Sequence, residues 1–216
     1  MRKFVGPLLV AVVFLVAQAG ASVVTSIPGG TVFTMPAVNY FGGASQFVAP
    51  GVTWSSTNCT LCNQGGSVFG FTQVYGFGTN GYWTGGLGPM AGVNDSYDYY
   101  GVTDTMTFAF ATPASAVGGF LNYLPGGSTP TTIAVYDSNF HLIESYNLTF
   151  LTSGGADTGA FYGFKESTPD ISYFTLSDNY VAITDLTAVV PEPSSLLLIG
   201  SGLLGAVSFG RRRLGQ

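Results

Sequence analysis

The sequence predicts an all-β chain: a single two-sheet sandwich of jelly-roll type, flanked by an N-terminal signal helix and a C-terminal transmembrane helix. Three observations carry this reading. Short segments rich in Val, Ile, Thr, Phe and Tyr recur between Gly, Pro and Asn punctuation, as antiparallel strands do. No helical periodicity occurs between the two ends. Each end, by contrast, is a continuous apolar run with basic residues beside it.

Residues 1–21 have the three parts of a secretory signal: Arg2 and Lys3, an apolar core over 4–16, then small residues. Ala17-Gln18-Ala19 and Ala19-Gly20-Ala21 both satisfy the small-x-small cleavage rule, so the mature chain is expected to start at Gly20 or Ser22. The core of about 13 residues is too short for a spanning helix, which needs roughly 20, so removal is expected rather than anchoring.

The sandwich domain is expected over 22–189. Residues 47–54 and 67–75 are its first strand candidates, and 76–98 is a long connection rich in glycine and aromatics. Residues 105–110 alternate, with Met106, Phe108 and Phe110 on one face. Residues 116–123 follow Pro113 and end at the Pro125-Gly126-Gly127 turn. Residues 131–136 and 141–150 flank Asp137-Ser138-Asn139 and read as a hairpin. Segments 159–164, 171–176 and 180–187 complete about nine strands, a number that suits a sandwich. No internal repeat is present.

Residues 190–213 form a tail in three parts. Pro191-Glu192-Pro193 stops the domain, 194–210 is an apolar helix, and Arg211-Arg212-Arg213 follows it. At 1.5 Å per residue that helix reaches about 25 Å, enough for a thinned bilayer, and the positive-inside rule keeps the arginines cytoplasmic. The domain is therefore expected on the far side of the inner membrane. This arrangement resembles the PEP-CTERM sorting signal of Gram-negative bacteria. The resemblance implies recognition by an exosortase, a membrane cysteine transpeptidase that cuts near Pro-Glu-Pro and passes the protein to the cell surface. The order of motifs over about 100–189 is also similar to sandwich domains found ahead of such tails: Pro113 to Phe120, Val135 to Asp137, Gly159 to Phe164 and Val181 to Thr187. Such sandwiches are similar in outline to carbohydrate-binding modules.

Charge narrows the partners. Of the six basic residues, Arg2, Lys3, Arg211, Arg212 and Arg213 lie in the two signals, leaving Lys165 alone in the domain, while ten of the eleven acids belong to it. One lysine cannot supply the phosphate contacts that nucleic acid or a nucleotide requires, so both are excluded. Divalent cations and neutral glycans remain compatible.

Few residues suggest chemistry. Cys59 and Cys62 are expected to form a disulfide staple in an oxidising compartment; Asn63 stands where haem attachment would need His. Asp95, Asp98 and Asp104 concentrate oxygen ligands and are the candidate calcium site, without EF-hand spacing; no other cofactor is expected. Tyr82 and Trp83, in the long connection, are the candidate glycan contacts, because aromatic faces stack on pyranose rings; filling a satellite core is the alternative. His141 reads as a turn residue, no Gly-x-Ser-x-Gly elbow is present, and nothing in their spacing pairs Glu144 with Glu166 for hydrolysis. The expectation is thus a non-enzymatic, surface-sorted protein, a structural or adhesive component of the extracellular polysaccharide matrix. A carbohydrate-binding module with a defined ligand is the alternative, and a secreted glycoside hydrolase a weaker one.

Overall fold

The computed structural model describes residues 21–57, 67–93, 104–127, 129–178 and 180–191. These form sixteen β-strands, numbered in chain order, one 3-10 turn and no α-helix. The expected signal helix, over residues 1–20, and the anchor helix, over 194–210, lie outside the described residues.

The strands build two open antiparallel sheets packed face to face. The eight-stranded sheet contains β1 (Ser22–Val24), β2 (Thr31–Phe33), β3 (Tyr40–Phe41), β6 (Val68–Phe71), β9 (Met90–Val93), β11 (Ala116–Tyr123), β14 (Ala160–Lys165) and β16 (Val181–Val189). Its order is β1-β14-β11-β16-β9-β6-β3, with β2 also on β16. The six-stranded sheet contains β4 (Gln46–Ala49), β5 (Val52–Ser56), β10 (Asp104–Ala114), β12 (Thr132–Tyr136), β13 (Leu142–Asn147) and β15 (Ile171–Asp178). Its order is β13-β12-β15-β10-β5-β4. A two-stranded ribbon, β7 (Tyr75–Gly76) and β8 (Tyr82–Trp83), stands apart from both.

Alternation of side chains along the strands makes the core. Met106, Phe108 and Phe110 are all buried, as their spacing predicts. Phe108 lies in register with Trp54 on one neighbouring strand and Phe174 on the other, so three aromatic side chains cross the inner face in one row. The opposite sheet closes on both ends of this row. Phe69 stacks on Trp54 at 5.1 Å between ring centroids, and Phe164 meets Phe174 edge-on at 6.4 Å. Each fully buried ring of this size contributes about 1.5–3 kcal/mol through removal from water. The indole Nε1 of Trp54 is buried and finds no hydrogen-bond partner among the described residues, so shape rather than polarity holds this ring.

Several boundaries differ from the expectation for local reasons. The segment 47–54 divides into β4 and β5, because Pro50 and Gly51 turn the chain between the paired residues Ala49 and Val52. Gly51 takes φ 78°, which glycine adopts without the steric penalty that a Cβ would bring. β10 continues through Pro113, which is accommodated where the register with β15 shifts between Ala109 and Ala114. The connection 76–98 is not free of strands: it contains β8 and β9, and β9 sits between β16 and β6 inside the larger sheet. Three further strands precede residue 47. In β16, Asp185 at φ 50° coincides with a register shift against β11, and alternation resumes so that Ile183 and Leu186 both face the core.

Truncating Trp54 to Ala should destabilise the chain by about 3–5 kcal/mol in denaturant unfolding. Trp54→Phe keeps the stack and removes the unpartnered N–H, so it should cost no more than about 1.5 kcal/mol. Equal losses in the two variants would contradict a role for the ring stack.

Candidate functional site

The long connection folds back onto the outer face of the eight-stranded sheet. That face is apolar there: Val68 and Phe71 on β6, Met90 on β9 and Ala182 on β16 are buried and form a second core with Tyr75, Phe77 and Trp83. The aromatic rings run in a chain. Phe71 meets Tyr75 at 6.4 Å, Tyr75 meets Phe77 at 5.2 Å, Phe77 meets Trp83 at 5.1 Å, and Trp83 stacks on Phe120 at 6.0 Å. The Tyr75 hydroxyl donates to the Val93 carbonyl at 2.6 Å.

This packing divides the two candidate glycan contacts. Trp83 is 1% exposed, and its Nε1 donates to the Thr158 carbonyl at 2.6 Å. It is a core residue and cannot present a stacking face, which corrects the expectation. Tyr82, its neighbour in the two-residue strand, points the other way and is 44% exposed. The satellite-core alternative therefore describes Trp83, because an apolar sheet face lay within the loop's reach.

A polar knot fastens this loop to residues 151–158. Asn80 is buried at the end of the 3-10 turn Gly78–Asn80. Its carbonyl accepts from Asn122 Nδ2 at 3.0 Å and Thr152 Oγ1 at 2.8 Å, while its Oδ1 accepts from the Thr152 N–H at 3.1 Å. Gly81, at φ 85°, lies so close to Gly155 that a Cβ would collide with the Gly155 carbonyl. On the surface above, the Asp157 carboxylate accepts from both the N–H and the hydroxyl of Thr84, each at 2.7 Å. Those two bonds, the backbone one first, hold Asp157 below the usual carboxylate range. The network ties the two loops to each other and, through Asn122, to β11, although the buried Asn80 Nδ2 finds no hydrogen-bond partner among the described residues.

The remaining candidates fall as follows. Asp104 opens β10, is buried, and accepts from Thr57 Oγ1 at 3.4 Å. Asp95 and Asp98, the other members of the calcium candidate, lie outside the described residues, as do Cys59 and Cys62. Among the described residues there is no disulfide and no group of three His, Cys, Asp or Glu placed to hold a metal. His141 is an exposed turn residue, as expected, and its Nδ1 faces Asp137 Oδ2 at 3.1 Å.

Glu166 behaves differently from its sequence context beside exposed Lys165. It is buried, its Oε1 has no hydrogen-bond partner among the described residues, and its pKa is raised. Burial is the main cause, followed by the negative charges of Asp170 and Glu144. Folding thus brings Glu144 and Glu166 into electrostatic reach, a proximity their separation in sequence does not disclose. Sequence reasoning also passed over the aromatics that are exposed. Phe47, with half-buried Tyr136 and Tyr173, belongs to the six-stranded sheet, where strict alternation against the buried row was the available signal; Phe140 lies in the turn between β12 and β13, where alternation gives none.

Trp83→Ala should cost about 3–5 kcal/mol in denaturant unfolding, whereas Tyr82→Ala should stay within about 0.5 kcal/mol. Glu166 binds its proton more tightly in the folded than in the unfolded chain, so stability falls as pH rises from about 4.5 through its raised folded value. Melting temperatures across that window should decline less with pH in Glu166→Gln than in the parent chain.

The sorting tail adjoins the fold directly. β16 ends at Val189, which pairs with Ala116 and accepts a hydrogen bond from the Ser115 N–H at 2.8 Å. Val190 still packs against the core, and Pro191 is exposed. Glu192, Pro193 and Arg211 to Arg213 lie outside the described residues. No curated protein and no solved structure matches the chain significantly. Residues 189–213 match the family model of the PEP-CTERM protein-sorting motif, so the chain carries the signal of an exported protein that an exosortase sorts at the membrane for the cell surface.

Proposed function

We propose that this protein is a non-enzymatic component of the extracellular polysaccharide matrix, structural or adhesive, released to the surface as a folded sandwich. The observation that carries the reading is the junction between fold and tail. The sorting motif begins at Val189, the last residue of β16, a strand held inside the eight-stranded sheet by β11, β9 and β2. A cut after Pro191 therefore leaves every hydrogen-bonded strand in place, and delivery need not disturb the domain.

The composition of that domain fits an extracellular setting. Charged residues make up only 8% of the chain, and Lys165 is the sole cation between the two signals, so the domain's solubility rests on hydroxyls, amides and carboxylates. Two cores, one between the sheets and one beneath the long connection, make a module whose loops are fastened to one another by side-chain hydrogen bonds.

Intact-mass analysis and cell fractionation of the native protein, beside a variant lacking residues 190–216, test this reading. The native form should lose both ends and co-fractionate with matrix polysaccharide, and the truncated form should fail to reach the surface. Persistence of residues 196–213 on protein in the inner membrane would make the tail an ordinary anchor and remove the support for a matrix role.

A further inference from the structure

We propose that the outer face of the six-stranded sheet binds a neutral, β-linked glucan-type chain in a groove between Phe47 and Tyr173. The inference deepens the matrix reading by naming a ligand class and a site, and it rests on that reading only for its biological setting.

The two sheets differ on their outer sides. Next to the buried aromatic row, alternation places a second row facing outward across five strands. Register aligns Tyr136 with Tyr173, Tyr173 with Ala109, Ala109 with Thr53, and Thr53 with Phe47. Phe47 and Tyr173 wall a groove of about 260 Å³ whose floor includes Thr53, Ala109 and Ala111. Three strand spacings separate the walls, about 14 Å. Phe47 is 62% exposed and Thr53 is exposed as well.

The aromatic wall is built at a conformational cost. Phe140 stacks on Tyr136 at 4.8 Å and packs at a tilt of 46° against Tyr173 at 4.6 Å, yet it is 53% exposed and sits at φ 64°, a region unfavourable for a bulky side chain. The turn that imposes this φ is locked by Asp137, whose Oδ1 accepts from the N–H groups of Asn139 and His141, both at 2.8 Å. Glycine or asparagine would relieve the backbone there, and the exposed ring fills no core. Its contribution is a larger aromatic surface at the groove's edge.

Charge and chemistry select the occupant. Neither this outward row nor its neighbour, Ser55, Thr107, Thr175 and Ala134, carries an ionisable acid or base other than the tyrosine phenols. The nearby Asp137 carboxylate is committed to its own turn. An uncharged face of rings, methyls and hydroxyls on an otherwise anionic domain matches a neutral polymer with apolar ring faces and hydroxyl edges, and disfavours an acidic polysaccharide. In β-linked glucans the glycosidic oxygen at C1 is equatorial like the ring hydroxyls, whereas in α-linked glucans it is axial, so the β-linked chain presents the flatter apolar faces to such rings.

Native gels cast with a soluble β-glucan, and matched gels cast with alginate, provide the test on the full chain in mild detergent. The glucan should retard migration and alginate should not. Phe140→Gly, whose backbone suits φ 64°, and Phe47→Ala on the edge strand should each weaken the apparent affinity about threefold to tenfold, as expected for one stacking ring. Melting temperatures check that both variants remain folded, and Phe47→Ala carries the test if Phe140→Gly does not fold. Tyr82→Ala, on the other sheet's side, should bind as the parent does. The proposal is overturned by no retardation in glucan, by equal retardation in alginate, or by a folded groove variant that migrates as the parent does. Loss of the groove in this assay alongside normal surface delivery would leave the matrix reading standing, since the gel contains no sorting machinery.

Discussion

The fold depends on one row of rings. Trp54, Phe108 and Phe174 lie side by side across β5, β10 and β15, and Phe69 and Phe164 from the opposite sheet press on the row's two ends. Neither sheet could stand alone, since each would expose these rings to water; together they exclude water from both inner faces. The constraint also fixes register. A slip of one residue in β10 would turn Met106, Phe108 and Phe110 outward and bring threonines into the core, so the buried row dictates which side chains reach the surface. The outward arrangement of Tyr173, Ala109, Thr53 and Phe47 is thus the geometric complement of the core.

The two outer faces have opposite fates because their side chains differ. On the larger sheet, Phe71, Met90, Phe120 and Ala182 offer an apolar surface, and the long connection covers it with Tyr75, Phe77 and Trp83. Covering that face leaves loop polar groups to be satisfied. The Asn80 carbonyl accepts from Thr152 in the second loop and from Asn122 on β11, and Asp157 of that second loop accepts from Thr84, so 78–86 is joined to 151–158. On the smaller sheet the rings stand at the rim of a hydroxyl-bearing surface. Trp83 thereby offers no ring face to solvent, while Tyr173 and Phe140 keep part of theirs exposed.

Delivery and display are separate modules. The tail begins where the central strand β16 ends, so the sorting motif and the sandwich share only the residues at their junction. Both outer faces and the groove between Phe47 and Tyr173 belong wholly to the part that precedes Pro191.

The all-β class, the two-sheet architecture and the inward set of β10 were legible because they depend on local period: alternating side chains, turn residues and apolar runs act within a few positions of one another. The sorting motif was legible for the same reason, as a contiguous order of proline, apolar run and arginine. What only the tertiary structure decided was every property that needs two distant segments. Trp83 is buried because β6, β9, β11 and β16 assemble an apolar face beneath it; Glu166 retains its proton more tightly chiefly because packing buries it, with the charges of neighbouring Asp170 and distant Glu144 adding to the effect; β9 is a strand because β16 and β6 supply its hydrogen bonds. Composition could count the aromatic residues and alternation could place those of β10, but only tertiary packing assigned the rings of the long connection to a core or to solvent.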